Sequence, residues 1–379
     1  MPSAEILCVS WHSTLPLNTG ANIRIRSILQ EYKKVKPVLL APAPADDTFE
    51  HLEFEKFQFP KWLNKFVPFH TEIFCCLGSK PFKSALKLLA NRKFVAVQCE
   101  HLWTYPLAKK LAQHFKIPLL LVEHNIETTY VERAYGKKIF TSVVRRLEKK
   151  ALDGSDRIVV CSEIDAKILQ DKFNIPSGKI WIVPNGVYIE EKIKSYGRDL
   201  LPELLQSRDF VVFLGKTSYQ PNREAIEIIE KELIGRLASK GVTVAVVGGP
   251  AEPDYSQLDN GLVFTGFVPE IEPFVMNATA CIAPLISGSG TRLKILEYAG
   301  LGRPIVATSV AAEGIDLKNN QEILLRDDWN SFCAAIIEIR NENSRWNKLG
   351  EKAKAIVQQK YKWQSISASF EHQFMQLSK

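Results

Sequence analysis

Short apolar runs and longer amphipathic stretches alternate along almost the whole chain. The runs rich in Val, Ile and Leu lie at residues 6–10, 38–40, 94–99, 118–122, 157–161 and 180–183, and then at 210–214, 242–247, 262–265, 280–283, 305–307 and 323–325. They are continuous rather than alternating, as expected for parallel strands that are covered on both faces. Between them the apolar spacing is helical: in residues 222–237, one face carries Ile226, Ile229, Leu233 and Leu237. Strand and helix in alternation predict doubly wound parallel α/β sheets.

The predicted strands form two sets of six, separated by residues 185–207. This gap begins with the turn Pro184-Asn185-Gly186 and then becomes polar and charged, which is typical of a linker. We therefore predict two Rossmann-like domains that face each other across a cleft, with ligands beyond the carboxyl ends of the strands. The predicted bounds are 1–186 for the N-terminal domain, 187–360 for the C-terminal domain, and 361–379 for a last helix that crosses back to the N-terminal domain.

Composition narrows the class of protein. The chain has 379 residues, of which 46% are hydrophobic and 24% are charged, so disordered and fibrous classes are excluded. Its net charge of +7 is mild and favours anionic small ligands or an anionic membrane over nucleic acid. The seven cysteines form no C-x-x-C pair and several lie in apolar runs, as in a reducing compartment. With no signal-peptide pattern and no membrane-spanning run, we expect a cytoplasmic protein.

The segment SGSGTRLKILE (residues 287–297) follows a predicted strand and begins a helix. Small residues let a phosphate approach the backbone, and the unpaired amides and dipole of a helix start favour an anion there. Arg292 and Lys294 add full positive charges within the first turn, and the carboxylate of Glu297 could accept both hydroxyls of a ribose. The alternative is a flexible Gly/Ser loop before a solvated helix face. Neither a Walker loop nor the dinucleotide fingerprint G-x-G-x-x-G occurs.

The longer stretch SGSGTRLKILEYAGLGRPIVATSVAAEGI (residues 287–315) resembles the donor-binding signature of retaining GT-B glycosyltransferases of family four, in a sub-branch with the form GSGTRLK. Other matching pieces lie in the family's order: a loop at 16–24, EH at 100–101, VEHN at 122–125, VPNGV at 183–187, FLG at 213–215, VVGG at 246–249 and FTGFV at 264–268. The resemblance covers nearly the whole chain and is most specific in the C-terminal half. In residues 46–93, on the acceptor side, we identify no motif of the family.

The resemblance implies a role for each matching residue. Glu297 would bind the ribose, Lys216 would neutralise the diphosphate, and His101 would approach the 6-position of the donor sugar. The implied catalytic residues are His101, Arg292 and Lys216. The implied donor-binding residues are Gly20, Gly248, Phe267, Val268, Ser289, Gly290, Thr291 and Glu297, and the acceptor-side candidates are His124 and Asn125.

The chain departs from the family pattern at three places. Ser289 stands where the family has the first Glu of its Glu-x7-Glu motif, so a contact to a sugar hydroxyl is lost or made by backbone. Asn222 stands near the family's second basic residue, for which Arg223 or Arg292 could substitute. The N-terminal loop reads Asn-Thr-Gly-Ala, at residues 18–21, rather than Gly-Gly.

Two further features leave alternatives open. His124 is either a second cleft residue or a histidine at a strand end that is bonded to backbone. Residues 52–94 carry nine Phe or Trp and eight Lys or Arg against three Glu, which suits either an anionic membrane interface or a helix that covers the core. Neither a metal-ligand cluster nor a D-x-D triplet occurs, so we expect no metal cofactor.

The function that the resemblance implies is transfer of a sugar, with retention and without metal, from a nucleoside-diphosphate sugar to a hydroxyl acceptor. That acceptor could be lipid-linked, a polysaccharide or a small molecule. Two alternatives are a sugar-nucleotide epimerase or hydrolase, which would consume donor without acceptor, and a non-catalytic scaffold subunit, which Ser289 would favour.

Overall fold

A computed structural model describes residues 4–11, 14–15, 19–41, 48–57, 71–135, 139–189, 195–217, 219–248, 261–288 and 290–377. The strands are β1 (Ala4–Val9), β2 (Val35–Ala41), β3 (Glu50–Glu53), β4 (Phe94–Glu100), β5 (Leu119–Val122), β6 (Arg157–Val160), β7 (Ile180–Ile182), β8 (Asp209–Leu214), β9 (Val242–Val247), β10 (Leu262–Phe264), β11 (Ala280–Ala283), β12 (Ile305–Ala307) and β13 (Leu324–Leu325). The helices are α1 (Gly20–Gln30), α2 (Lys80–Leu88), α3 (Tyr105–Phe115), α4 (Glu127–Tyr135), α5 (Ile139–Gly154), α6 (Glu163–Phe173), α7 (Glu203–Gln206), α8 (Gln220–Ile228), α9 (Ile234–Ala238), α10 (Glu272–Asn277), α11 (Leu293–Gly300), α12 (Trp329–Asn341), α13 (Asn343–Lys360) and α14 (Trp363–Leu377).

The chain divides into two compact units, each built on its own parallel sheet. The first unit comprises Met1–Asn185 together with Trp363–Lys379, and its seven strands follow the order β3-β2-β1-β4-β5-β6-β7. The second unit is Gly186–Lys362, with six strands in the order β10-β9-β8-β11-β12-β13. Every described strand pair is parallel. The predicted α/β class with two Rossmann-like sheets is therefore confirmed.

All the predicted strands are present, and β3 is an additional edge strand. Its sequence, Glu-His-Leu-Glu, has a single apolar residue and is only partly buried, so it gives no apolar run to detect. The predicted helix across 222–237 is also present, as α8 and α9 joined by a π-helical turn over Ile229–Leu233. The four apolar residues of its predicted face are all buried.

In both sheets the strand order reverses beside the first strand, between β1 and β4 and between β8 and β11. Ligands of open α/β sheets bind beyond the carboxyl ends of the strands at such a reversal. His101 directly follows β4 in the first unit, and the Gly-rich loop directly follows β11 in the second. The topology therefore places His101 and the Gly-rich loop at the edge of their sheets where ligands of such folds bind.

Buried polar contacts join distant segments of the first unit. Arg24, only 1% exposed, donates from Nη1 to the carbonyl of Pro184 (3.0 Å) and to Asn185 Oδ1 (2.9 Å), and from Nη2 to the carbonyl of Val183 (2.7 Å). Glu371 of α14 accepts, through one carboxylate oxygen, the amides of residues 33–35. The VPNGV motif and the last helix are thus both tied to α1 and the chain that follows it.

The described part of the chain contains no helix both long and apolar enough to cross a bilayer. All seven cysteines are buried and free, in agreement with their prediction as small core residues. The described aromatics of 52–94 also belong largely to the core: Phe54 and Phe94 are buried, while Phe74 and Phe82 pack against the core cluster. Residues 58–70, which carry the rest of that aromatic segment, lie outside the described residues.

Candidate active site

The loop between β11 and α11 has a backbone that only glycine adopts readily. Gly288 has φ +105° and Gly290 has φ +71°, both in the left-handed region. A Cβ at position 288 would lie 3.1 Å from Nη2 of Arg292, so a side chain there would also be crowded. Ser289, the predicted departure from the family pattern, lies outside the described residues. The loop is therefore shaped for close approach to its backbone.

The start of α11 is open to an anion. Its N-cap residue, Arg292, has an extended backbone, and its side chain makes no capping hydrogen bond. The first-turn amides therefore have no side-chain cap, and the helix dipole adds positive potential at this end. Arg292 is 8% exposed, and its guanidinium folds back to donate to the carbonyls of Gly290 and Ser287. The side chain predicted to be catalytic thus also braces the glycine loop.

Lys294 brings a second cation to Asn222, the position where this chain lacks the second basic residue of the family pattern. Its ammonium donates to Asn222 Oδ1 at 2.9 Å and lies 4.0 Å from the centre of the Phe213 ring. Burial, with a smaller contribution from the neighbouring Arg292 charge, lowers the pKa of Lys294 to about 7. The sequence suggested Arg223 or Arg292 as the substitute for the basic residue absent at 222. In the structure, Lys294 donates a hydrogen bond to Asn222 and is a further candidate for that substitute.

Glu297 lies one turn after Lys294 on the same helix. Burial raises the pKa of its carboxyl to about 7, and the nearby Lys294 charge opposes that shift. Among the described residues, no hydrogen bond to this carboxylate is formed. A half-buried carboxylate that still has its acceptor capacity suits a ligand that brings hydroxyl donors.

Glycines also join the strand ends around this helix. Gly215 donates its amide to the carbonyl of Val247 (2.8 Å), and Gly248, with φ +85°, donates to the carbonyl of Gly266 (2.9 Å). These bonds hold the loops after β8, β9 and β10 side by side. Phe267, on the last of these loops, is 69% exposed.

The remaining predicted residues of this unit have simpler environments. Lys216 is exposed, while Val268 packs partly against the core. Thr291 is buried between Gly290 and the N-cap Arg292 of α11. In the first unit, Gly20 is the first residue of α1, whose N-cap Thr19 accepts the amide of Asn22. Asn125 is half-buried just after β5.

Two histidines stack at the carboxyl ends of β4 and β5. The rings of His101 and His124 lie 4.1 Å apart and are nearly parallel, at 17°. His101 has φ +77° and ψ 150°, a conformation that is essentially restricted to glycine. Its Nδ1 also lies 3.7 Å from the carboxylate of Glu127. Such strain in a non-glycine residue is typical of functional sites, which favours a role for His101.

His124 has a partner that neither sequence alternative included. Its Nε2 lies 2.6 Å from the carboxylate of Glu100, which is 2% exposed. Gln98 donates its amide to the other oxygen of Glu100, and Tyr32 donates its hydroxyl to Gln98 (2.9 Å). Burial raises the pKa of Glu100, while the Gln98 hydrogen bond opposes that shift. This chain of side chains fixes the ring plane of His124, and through the stack that of His101.

We expect His101→Gly to be more stable than His101→Ala by about 1–3 kcal/mol in free energy of unfolding, because only glycine adopts the φ of this position without strain. Both variants lose the imidazole, so they differ in backbone strain and one methyl group. Urea denaturation of the two variants measures the difference. Equal stability, or a more stable alanine variant, would show that the backbone at 101 is not strained.

The predicted site residues are distributed over both units. Gly20, His101, His124 and Asn125 belong to the first unit, and the others belong to the second. Across the described ranges, no group of three or more His, Cys, Asp or Glu side chains could hold a metal ion.

Comparison with known proteins identifies the family. Residues 20–191 match the model "Glycosyltransferase Family 4", and residues 208–342 match "Glycosyl transferases group 1". A curated relative from Klebsiella pneumoniae, described as an uncharacterized 44.6 kDa protein in the cps region, is 22% identical over 301 residues, which is 74% of each chain.

Solved structures show the same fold over the full length. Sucrose-phosphate synthase from Thermosynechococcus elongatus aligns with a TM-score of 0.78 and 15% identity, covering 99% of both chains. Anabaena HepE, solved with UDP and glucose, aligns with a TM-score of 0.73 and 14% identity, covering 98% of this chain and 99% of its own. The fold is thus that of GT-B glycosyltransferases. With both family models matched in order along the chain, this protein belongs to the group 1 glycosyltransferases of family 4 and is a sugar-transferring enzyme.

Proposed function

We propose that the protein transfers a sugar from a nucleoside-diphosphate sugar to a hydroxyl acceptor, with retention at the anomeric carbon and without a metal ion. The observation that carries this proposal is the anion site of the second unit. There, an uncapped helix start and a glycine loop lie beside the cations Arg292 and Lys294, with the carboxylate of Glu297 one turn further on. A diphosphate and its attached ribose have the complementary chemistry.

Charge on the departing diphosphate is the quantity that this site would stabilise. As the bond to the anomeric carbon breaks, negative charge grows on the leaving oxygen, and fixed cations and amides are most effective there. We assign that stabilisation to Arg292, Lys294, Lys216 and the first-turn amides of α11. These groups supply the positive charge that a divalent metal supplies in metal-dependent transferases.

The N-terminal histidines would act on the sugar rather than the nucleotide. We propose that His101 orients the donor sugar and that the Glu100–His124 pair is a positioning element beneath it. Because the donor carbon and the acceptor hydroxyl react on the same face in a retaining transfer, the acceptor proton can pass to the leaving phosphate. This route needs no carboxylate nucleophile.

Uridine is the donor base that we propose first. Anabaena HepE has been solved in complexes with UDP and with UDP-glucose. The pneumococcal O-GlcNAc transferase GtfA, another structural neighbour, has been solved with UDP and GlcNAc. UDP-glucose and UDP-GlcNAc are accordingly the first donors to offer, with the acceptor being a lipid-linked, polymeric or small hydroxyl compound.

Binding of UDP should take up a proton at Lys294. With a pKa of about 7, this side chain is mostly neutral at pH 8 in the free protein, and a bound diphosphate raises its pKa. We expect uptake of roughly 0.9 of a proton at pH 8, so UDP affinity falls as pH rises above 7. Glu297, whose pKa is also about 7, is mostly ionised at pH 8 and releases little.

Calorimetry in HEPES, Tricine and Tris measures this uptake, because these buffers differ in ionisation enthalpy. Lys294→Met should abolish it, while Lys348→Met, at an exposed position of α13, should leave it unchanged. Absence of uptake in the unaltered protein, or uptake that persists in Lys294→Met, would contradict the assignment.

Donor turnover tests the proposed reaction and separates it from its alternatives. The protein is incubated in EDTA with UDP-glucose or UDP-GlcNAc, with and without a panel of hydroxyl acceptors. Acceptor-dependent UDP release, with an axial anomeric linkage in the product by proton NMR, is the expected result. Donor loss that does not respond to acceptor would indicate an epimerase or hydrolase, and nucleotide binding without turnover would indicate a scaffold subunit.

A further inference from the structure

Helix α5 exposes a surface that the transfer reaction does not use. Its inner side is buried, with Val144, Glu148, Ala151 and Leu152 all nearly inaccessible. Glu148 has a structural task, since it accepts the amides of Glu127 and Thr128 at the start of α4. The carboxylate of Glu148 therefore points inward and does not neutralise the basic side chains on the outer side of the helix.

The outer side carries four cations next to two exposed aliphatic residues. Val143 and Leu147, one turn apart, are 46% and 44% exposed. Arg146 and Lys150, each three positions along the helix from one of them, lie beside them, and Arg145 and Lys149 lie further round the exposed side. We call these six residues the α5 face. Arg146 and Lys150 are one turn apart and, within the described ranges, pair with no acid. An exposed aliphatic pair flanked by cations is the pattern of interfacial helices.

The contacts of the neighbouring charged residues leave the net charge of this surface positive. Arg145 donates to the carbonyl of Lys172 (3.0 Å), which leaves its charge uncompensated. Asp153, which lines the same recess, pairs with Lys149. At the end of the helix, Lys109 and Lys179 donate to its last carbonyls, and Asp156 lies near Lys179.

A cavity of about 880 Å³ opens on the same side of the helix. Its lining includes all four cations of the α5 face, together with Tyr105 and Asp153. Phosphate groups are the anions that such a basic, wet recess suits. Because the aliphatic pair lies beside cations, a partner with both negative headgroups and an apolar interior can contact the cations and the aliphatic pair at the same time. A soluble polyanion would leave Val143 and Leu147 in water.

We propose that the α5 face docks the protein on an anionic phospholipid surface. Cations near such a surface are attracted to its headgroups, and exposed aliphatic side chains can enter the boundary with the acyl chains. This surface is distinct from residues 52–94, the segment that the sequence suggested. The proposal concerns the location of the enzyme at a membrane, and it does not depend on the proposed donor or on metal independence.

Sedimentation with lipid vesicles tests the proposal on the full chain. One set of vesicles is phosphatidylcholine alone, and the other contains one third phosphatidylglycerol. The charge variant is Arg146→Glu with Lys150→Glu. Its matched control is Lys348→Glu with Lys352→Glu, an exposed pair with the same spacing on α13. Each basic residue strengthens such binding about fivefold, so the charge variant should lose at least roughly 30-fold while the control keeps its binding.

A third variant, Val143→Ser with Leu147→Ser, keeps the charge and removes the aliphatic pair. It should bind anionic vesicles at least about threefold more weakly, because it loses apolar surface at the acyl boundary. Thermal melts verify that all three variants fold, since the changes are at exposed positions.

The proposal would be overturned by equal binding to both kinds of vesicle or by no binding to either. It would also be overturned by equal losses in the charge variant and its control, which indicate attraction without a specific face. Full binding by the serine variant, with dextran sulfate displacing the vesicles, would identify a soluble polyanion as the partner instead. None of these measurements needs donor or acceptor, so they are independent of the transferase assay.

Discussion

Replacing Glu297 with alanine should weaken UDP binding by roughly 30- to 1,000-fold, which corresponds to about 2–4 kcal/mol. The reason is that the variant removes up to two hydrogen bonds between a carboxylate and the ribose hydroxyls. The carboxylate of Glu297 is half-buried, so water competes less well for those donors than it would at an exposed site. Isothermal titration with UDP at pH 8, where the carboxylate is mostly ionised, measures the effect.

Two control variants make this result specific. Glu297→Gln keeps the shape and one acceptor, so it should fall between the wild-type protein and the alanine variant. Glu338→Ala removes an exposed carboxylate from the surface of α12 and should leave UDP affinity unchanged. An unchanged dissociation constant in Glu297→Ala would remove Glu297 from the nucleotide site.

Replacing Arg292 with alanine should slow donor breakdown by roughly 100- to 1,000-fold, with a smaller effect on UDP affinity. This guanidinium would stabilise the negative charge that grows on the diphosphate in the transition state. Removing the guanidinium should therefore lower mainly kcat. Release of UDP from UDP-glucose, measured with an acceptor from the panel that stimulates it, provides the rate.

The structural role of Arg292 must be separated from its charge. Its guanidinium donates to carbonyls of the glycine loop, so alanine also removes a brace. Arg292→Lys restores the charge without the forked geometry, and we expect it to recover part of the rate. Arg345→Ala, at an exposed position of α13, should have no effect. A change in KM alone for Arg292→Ala would contradict a transition-state role.

The fold could be predicted from the sequence because buried parallel strands are continuous apolar runs. This signal located β1, β2 and the later strands of both sheets. It could not locate β3, whose residues are partly exposed and mostly charged. β3 is held in the sheet by backbone pairing with β2, and backbone pairing does not require apolar side chains that the sequence pattern could reveal.

The arrangement of the candidate site could be predicted where one continuous segment forms it, but not where distant residues meet. The loop at Gly288 and the start of α11 are one such segment, and the structure has the glycine loop before a helix that the sequence predicts. Lys294 and Asn222 are 72 positions apart, and only the folded chain shows their contact. The contact between Glu100 and His124 had a signal in the sequence, because the two residues follow neighbouring strands of the predicted sheet, whose carboxyl ends lie together.

Calorimetric titration of the unaltered protein with UDP, GDP, ADP and dTDP in EDTA tests the proposed donor site most directly. We expect UDP to bind much more tightly than the other three nucleotides with no metal present. Its diphosphate would be held by the glycine loop, the start of α11 and the nearby cations. Binding of none of the four, or binding only after a divalent metal is added, would contradict the assignment of this site as a metal-independent donor site.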